Sequence, residues 1–383
     1  MKLFGVLKPL WPTDRFLRRV IIASVLYQIG LSLAIIFCAC LLYSDLTWIQ
    51  LKNLLSAWDG GHYLYLARYG YQTSGDEATF IVFYPLYPWL IRLTSQILPN
   101  EHLAAVSVTI LGSIVGHVAF AYYLLKTGCN RSQIWRILCL LFLTPISVYF
   151  SMIYTEGMFL AETALCLLAL RCDRYAWAAG FGLMASATRL VGILSIVPFI
   201  SRFIETQRWR SHWQSILWVC LIPLGYGIYL YLNWKFFGDP FHYRGVLGAH
   251  WQKTATNPAI QYLNHWRDLL QWYVPKEPTI FIDRISTLII LPVFIIYGSL
   301  KSRNNLRLSW GEQVWAWSQW LVIASQSFWL SNTRYLALIL PLYIAIEELS
   351  WLVWRVIYFA VAAIFGALSV YSIYLFCQGV WLY

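Results

Sequence analysis

The residues able to do chemistry in this sequence sit in short clusters between long apolar runs. The first cluster is AWDGGHYLYLARYGY, residues 57–71, where Asp59 and His62 lie three apart beside Trp58, Gly60 and Gly61. A carboxylate within reach of a hydroxyl can take its proton as a general base, and a nearby imidazole can orient that hydroxyl or donate to an anion. The paired glycines let the backbone approach another group closely. Asp is also a favoured N-cap, here for a helix starting at Gly60 or Gly61, and the two roles are compatible.

A second acid occurs in Tyr154-Thr155-Glu156. Thr155 is predicted to cap the following helix, which puts Glu156 in a first turn where the macrodipole favours an acid with or without a function. Glu162 and His117 fall inside apolar runs; an ionisable group there is either functional or paired with a neighbouring helix. Arg189, in ASATRLVG, and Arg334, in SNTRYL, could together grip a phosphate bidentately, or each could snorkel to lipid headgroups. FGDPFHYRG, from Phe237, adds Asp239 before Pro240, a turn signal, with His242 and Arg244 close behind. No phosphate-binding glycine loop, HExxH or GxSxG occurs, and Asp76-Glu77 forms no DxD motif. Hence no dedicated metal-ligand set and no cofactor are expected.

The elements that must position these residues are membrane helices. The 383 residues are 60% hydrophobic and 12% charged, with mean hydropathy +0.59, values that a water-soluble domain would not support. Val20 to Tyr43 carries no charge, follows Arg15, Arg18 and Arg19, and reads as a retained first crossing with a cytoplasmic N-terminus. Ten further apolar segments follow, at about 103–125, 137–153, 157–170, 175–188, 190–201, 214–234, 285–300, 313–330, 335–346 and 352–377. Phe80 to Leu98 contains Pro85, Pro88 and Arg92 and is predicted to lie along the interface instead of crossing it. That choice gives about eleven crossings. It places Lys126/Arg131/Arg136, Arg171/Arg174, Arg202/Arg208/Arg210 and Lys301/Arg303/Arg307 on the side of the basic N-terminus, as the positive-inside bias requires. The net charge of +11 is accounted for by topology, so no nucleic-acid partner is expected. Residues 44–102 and 235–284 then face outward and form the site of one domain spanning 1–383. The eight cysteines show no CxxC or Cys/His spacing.

The ordered motifs resemble the PIG-V type mannosyltransferases, the family of the enzyme that adds the second mannose to glycosylphosphatidylinositol anchors, with its prokaryotic relatives. The resemblance rests on Trp58-Asp59 with His62 and Gly70-Tyr71, Phe83-Tyr84-Pro85-Leu86-Tyr87-Pro88, Tyr154-Thr155-Glu156 and Thr188-Arg189-x-x-Gly192. Phe237-Gly238-Asp239-Pro240 and Arg334-Tyr335 before Pro341-Leu342 complete it. Tyr84 stands where the family more often has Phe, and Thr144-Pro145 where it often has Asn-Pro. The resemblance implies an all-α GT-C glycosyltransferase fold with interfacial helices in the first outer loop. It makes Trp58 and Asp59 the essential pair. It also implies inverting transfer of mannose from a polyprenyl- or dolichyl-phosphate to a glycolipid acceptor, on the outer or lumenal face.

Asp59 is then the expected base, with Glu156 in reserve. Arg189 and Arg334, with His62, are expected on the phosphate, and Trp58 and Tyr87 on the sugar; Tyr154, Asp239 and His242 complete the candidate binding set. The location expected is a bacterial or archaeal cell membrane, or the endoplasmic reticulum if the chain is eukaryotic, among membrane lipids. A lipid-linked sugar transporter and a non-catalytic GT-C-like subunit are the competing readings. Transporters often carry internal repeats, and this sequence has none.

Overall fold

The computed structural model describes residues 14–43, 45–207, 210, 213–271, 277–301 and 306–382. Arg208 and Arg303 lie outside them. The helices are α1 Arg15–Leu42, α2 Trp48–Leu55, α3 Asp59–Tyr69, α4 Leu86–Thr94, α5 Glu101–Lys126, α6 Arg131–Phe142, α7 Glu156–Arg171, α8 Tyr175–Thr188 and α9 Ile196–Glu205. They continue as α10 Ile222–Phe237, α11 His242–Trp251, α12 Pro258–Leu270, α13 Pro278–Lys301, α14 Trp310–Ala324, α15 Asn332–Leu336, α16 Leu340–Val353 and α17 Arg355–Cys377. Among the described residues no β-strand forms; one antiparallel bridge joins Ala255 to Gln326.

The chain is all-α, and among the described residues five stretches are long and apolar enough to cross a membrane: α1, α5, Trp213–Phe237, α13 and α17. They coincide with five of the eleven predicted crossings. The other six are shorter or broken. Pro145 ends α6 before the segment is complete, because the residue preceding a proline avoids the α conformation. Pro341 starts α16 and divides 335–346 between α15 and α16. At 190–201, extended Arg189 and a 3-10 turn over Leu190–Ser195 precede α9. The predicted interfacial element is likewise in two pieces, a 3-10 turn over Asp76–Val82 and then α4. Helix α4 buries Tyr87, Pro88 and Ile91, exposes Trp89 and Leu93, and is stapled to α3 by Arg92 Nε donating to the Ala67 carbonyl at 2.6 Å.

Helix α7 is the axis of the structure. Nearly every residue from Glu156 to Leu170 is buried, whereas α1 and α17 bury only a stripe. Burial that complete requires close neighbours, and α5 provides a small-residue face. A Cβ on Gly112 would lie 2.8 Å from the Met158 nitrogen, and one on Gly157 only 2.3 Å from both the Ser113 hydroxyl and the Thr109 carbonyl. This is backbone-to-backbone packing of the small-residue kind common between membrane helices. The same face donates to the segment before α7, from Thr109 Oγ1 to the Tyr154 carbonyl (3.0 Å) and from Ser113 Oγ to the Phe150 carbonyl (3.2 Å). Glu156 is thereby held in register with α5.

At the far end of α7, about 24 Å away at 1.5 Å per residue, the basic clusters find acids. Arg171 pairs with Glu312 at 2.9 Å, Arg136 Nε bonds Glu347 at 2.7 Å, Arg307 lies 3.5 Å from Glu348, and Arg131 lies 3.6 Å from Asp14 at the start of α1. Clusters that the charge bias puts on one side therefore converge at one end of the molecule.

Gly157→Val is expected to lower stability by about 2 kcal/mol or more, since backbone stands where the side chain would go. The check is the thermal unfolding midpoint of purified protein in detergent. Gly180→Ala, at a glycine inside α8 with open space around it, should leave the midpoint equal or raise it slightly, since Ala is the better helix former.

Candidate active site

Trp58 takes φ 56°, in the left-handed region, and thereby turns the chain from α2 into α3. Asp59 is consequently the first residue of α3 and not its cap; no side chain caps that helix. The carboxylate is engaged elsewhere, accepting from Arg334 Nη1 at 2.9 Å through Oδ2. A guanidinium gives a charge-assisted bond, stronger than the amide bond of a cap. Gly60 meets protein, since a Cβ there would lie 3.2 Å from the Ile153 carbonyl. Its close approach brings α3 against the segment leading into Glu156.

Glu156 opens α7 and is fully buried, while the Thr155 hydroxyl forms no cap. Its Oε1 accepts from Arg334 Nε at 2.9 Å and from Arg189 Nη1 at 3.1 Å, and Oε2 has no hydrogen-bond partner among the described residues. Arg334 sits on α15, which Asp283 of α13 anchors by accepting the Ser331 and Thr333 amides at 2.7 and 2.6 Å. The rings of Tyr149 and Tyr154 face its guanidinium at 4.6 and 4.9 Å. Arg189 is extended at the end of α8, its guanidinium 4.3 Å from the Tyr335 ring centre. The result is a buried chain, Asp59–Arg334–Glu156–Arg189, with equal positive and negative charge.

This chain floors a cavity of about 200 Å³ whose lining includes Asp59, Tyr63, Phe83 and Tyr84 from the first predicted outer segment and Tyr243, Trp251 and Lys253 from the second. The lining also takes in Arg189, Arg334, Tyr335 and Trp381, so the site draws on more of the chain than the two predicted loops. Asp59 faces the cavity, and Glu156 lies behind the arginines without lining it.

The remaining predicted residues divide. Tyr154 supports Arg334 from beneath, its hydroxyl bonded to the Ala57 carbonyl at 2.9 Å. Trp58 is exposed and meets Trp381 edge-on at 5.1 Å beside the cavity. His62 is wedged between Phe80 and Phe83, at 4.3 and 5.0 Å. Burial lowers its pKa, against the opposing effect of Asp59, which favours the neutral imidazole. Tyr87 does not line the cavity; its hydroxyl is 2.7 Å from Thr109 Oγ1 in the core between α4 and α5. Asp239 is exposed and accepts from the Phe241 amide at 2.9 Å, a turn as its proline neighbour suggests. His242 stacks on Phe237 at 4.1 Å, away from the cavity. Glu162 accepts from the Thr188 hydroxyl at 2.9 Å, and His117 is packed among Tyr27, Phe142 and Phe150.

Lys253, Asp283, Tyr243 and Trp381 escaped the sequence reading. Asp283 had a signal, an acid at the mouth of an apolar run, where burial demands a partner. Lys253, in HWQKTATN, had none.

No protein-family model matches the sequence, and no curated protein matches it. Among solved structures the fold is similar to ArnT from Cupriavidus metallidurans bound to undecaprenyl phosphate, with 12% identity over 78% of this chain and 65% of that one and a TM-score of 0.45. The apo state of ArnT matches with 13% identity over 79% of this chain and 55% of that one, TM-score 0.46. The chain thus spans less than two thirds of the length of either structure.

Removing the central acid should expose how the network is held together. Glu156→Gln leaves two buried guanidiniums sharing one carboxylate and is expected to cost about 3–5 kcal/mol, the range for breaking a buried ion pair. Asp59→Asn, at the edge of the chain and facing the cavity, should cost clearly less. Thermal unfolding of the two variants side by side measures the difference.

Proposed function

We propose that this protein is a membrane glycosyltransferase of the GT-C class and the PIG-V type. In this reading it transfers a mannose or similar hexose from a polyprenyl-phosphate sugar to a glycolipid acceptor. The observation carrying it is the position of Asp59, a carboxylate at the edge of a buried ion network and facing a cavity large enough for part of a sugar. Four of the six motifs that resemble the PIG-V type enzymes, those around Asp59, Phe83-Tyr84, Thr188-Arg189 and Arg334-Tyr335, contribute to that cavity, which supports the same reading.

In an inverting transfer the acceptor hydroxyl attacks the anomeric carbon from the face opposite the phosphate. The new C–O bond forms as the C–O bond to the phosphate breaks, and the phosphate departs with the bonding electrons. The hydroxyl proton passes to a base. Asp59 suits that task better than Glu156. One Asp59 oxygen is held by Arg334, and the other makes no protein hydrogen bond among the described residues. Glu156 has its engaged oxygen shared by two arginines and lies behind them. The aromatic wall of Tyr63, Tyr84 and Tyr243 suits the apolar face of a sugar ring. The cavity lies at the end of α7 opposite the paired basic clusters, which by the positive-inside bias supports an outward-facing site.

Asp59→Asn is expected to reduce transfer by about a hundredfold or more, the scale of losing a general base. The assay incubates purified protein with radiolabelled polyprenyl-phosphate mannose and a crude membrane lipid extract and follows new glycolipid by chromatography. Full turnover by a folded Asp59→Asn protein would remove Asp59 as the base. A wild-type protein that yields no new glycolipid with any hexose donor would count against transfer itself.

A further inference from the structure

The sequence directed attention to Arg189 and Arg334 as the phosphate grip. In the structure both spend their charge on carboxylates, Arg334 on Asp59 and Glu156 and Arg189 on Glu156. The four groups are mutually neutral. An arriving anion would compete with acids already bonded at about 3 Å in a buried setting, where separating a pair is costly.

Lys253 differs. It lines the same cavity, is half-buried, and donates from Nζ to the Leu330 carbonyl at 2.6 Å, a bond that leaves its charge uncompensated. Among the described residues no carboxylate lies within ion-pair distance of it; Asp59 and Asp283 act on it only from further away. Its ammonium is 5.8 Å from the centre of the Tyr335 ring, whose plane also receives Arg189 at 4.3 Å.

The loop carrying Lys253 is tied down. The Thr256 amide donates to the Ser325 carbonyl (2.7 Å), the Ser327 amide to the Thr254 carbonyl (2.8 Å) and the Ser327 hydroxyl to the Gln252 carbonyl (2.9 Å). These bonds lie around the Ala255–Gln326 bridge, so the lysine is fixed to the strip of chain that leads to Arg334.

We propose that Lys253 is the residue that takes the anionic headgroup, the phosphomonoester end of a long-chain lipid, while Arg189 and Arg334 remain committed to holding the two acids. The inference rests on the glycosyltransferase reading and sharpens it, by moving the phosphate from the ionic floor to the wall formed by residues 251–256 and 325–331. Burial lowers the Lys253 pKa below the ordinary lysine value. A bound anion favours the protonated ammonium, so affinity should fall as pH rises through that lowered pKa.

The test is the change in intrinsic tryptophan fluorescence, Trp251 and Trp381 being the tryptophans that line the cavity, on titrating detergent-solubilised full-length protein with farnesyl phosphate. Lys253→Met is expected to weaken binding about tenfold or more and Lys253→Arg to stay within about threefold, on the scale of one charge-assisted bond. Farnesol should bind equally weakly to wild type and Lys253→Met. Unfolding midpoints equal to wild type for both variants establish that the site is intact, and Lys253→Gln serves as the second neutral variant if Lys253→Met does not fold. Wild-type affinity in a folded neutral variant overturns the assignment and leaves the glycosyltransferase reading standing. Inorganic phosphate competing as well as farnesyl phosphate overturns the lipid headgroup as the ligand. Wild-type protein that fails to bind farnesyl phosphate overturns the donor reading together with this inference.

Discussion

The guanidinium of Arg334 bonds Asp59 through Nη1 and Glu156 through Nε, and the architecture around the cavity depends on that fork. Placing either carboxylate or the guanidinium alone in a buried setting would cost several kcal/mol. Joined, they are tolerated, and they tie together three helix starts that are distant in sequence: α3, α7 and α15. A lysine could not replace the arginine, because a single ammonium cannot present two donors in a fixed plane while stacking on Tyr149 and Tyr154.

A fork of this kind needs a rigid surround, and each partner has one of a different sort. Glu156 is fixed by close packing, with Gly157 against Thr109 and Ser113 of α5, so that its helix cannot rotate without a backbone collision. Arg334 is fixed by hydrogen bonding, because Asp283 takes up two amides of the turn before it, where Ser331 adopts φ 66°. Asp59 is fixed by a turn, Trp58 holding a positive φ of 56° that a glycine would take more cheaply. The cost of that conformation is of order 1 kcal/mol and persists because the fork determines where α3 must begin.

Charge and apolar periodicity carried a good deal of this in the sequence. They marked the five long helices, the convergence of the basic clusters, and the acids and arginines that end up together: Asp59, Glu156, Arg189 and Arg334. Pairing was not legible. A sequence presents each charge without its partner, and the carboxylate partners of the two arginines lie up to 275 positions away. Which residues of a short element face the cavity was not legible for a related reason. Tyr87 and His242 belong to motif-like strings whose neighbours face the cavity, yet a helix turns 100° per residue, so adjacent positions point to different surroundings. Lys253 lies in a stretch with no motif and reaches the cavity only because residues 252–256 pair with 325–327.

The same accounting separates two acids that look interchangeable in the sequence. Glu156 is central: its engaged oxygen is shared by both arginines, it is fully buried, and a change in its charge would leave two cations contending for one carboxylate. Asp59 is terminal, bonded at one oxygen, with the cavity before it. A group that gains a proton during a reaction can do so only if the rest of its network survives the change. Protonating Asp59 still leaves Arg334 bonded to Glu156, whereas protonating Glu156 would loosen both arginines together. The order of the chain places the acid whose charge can change with least disruption at its end and the one held by both arginines at its centre, which is the physical argument behind the proposal of Asp59 as the base.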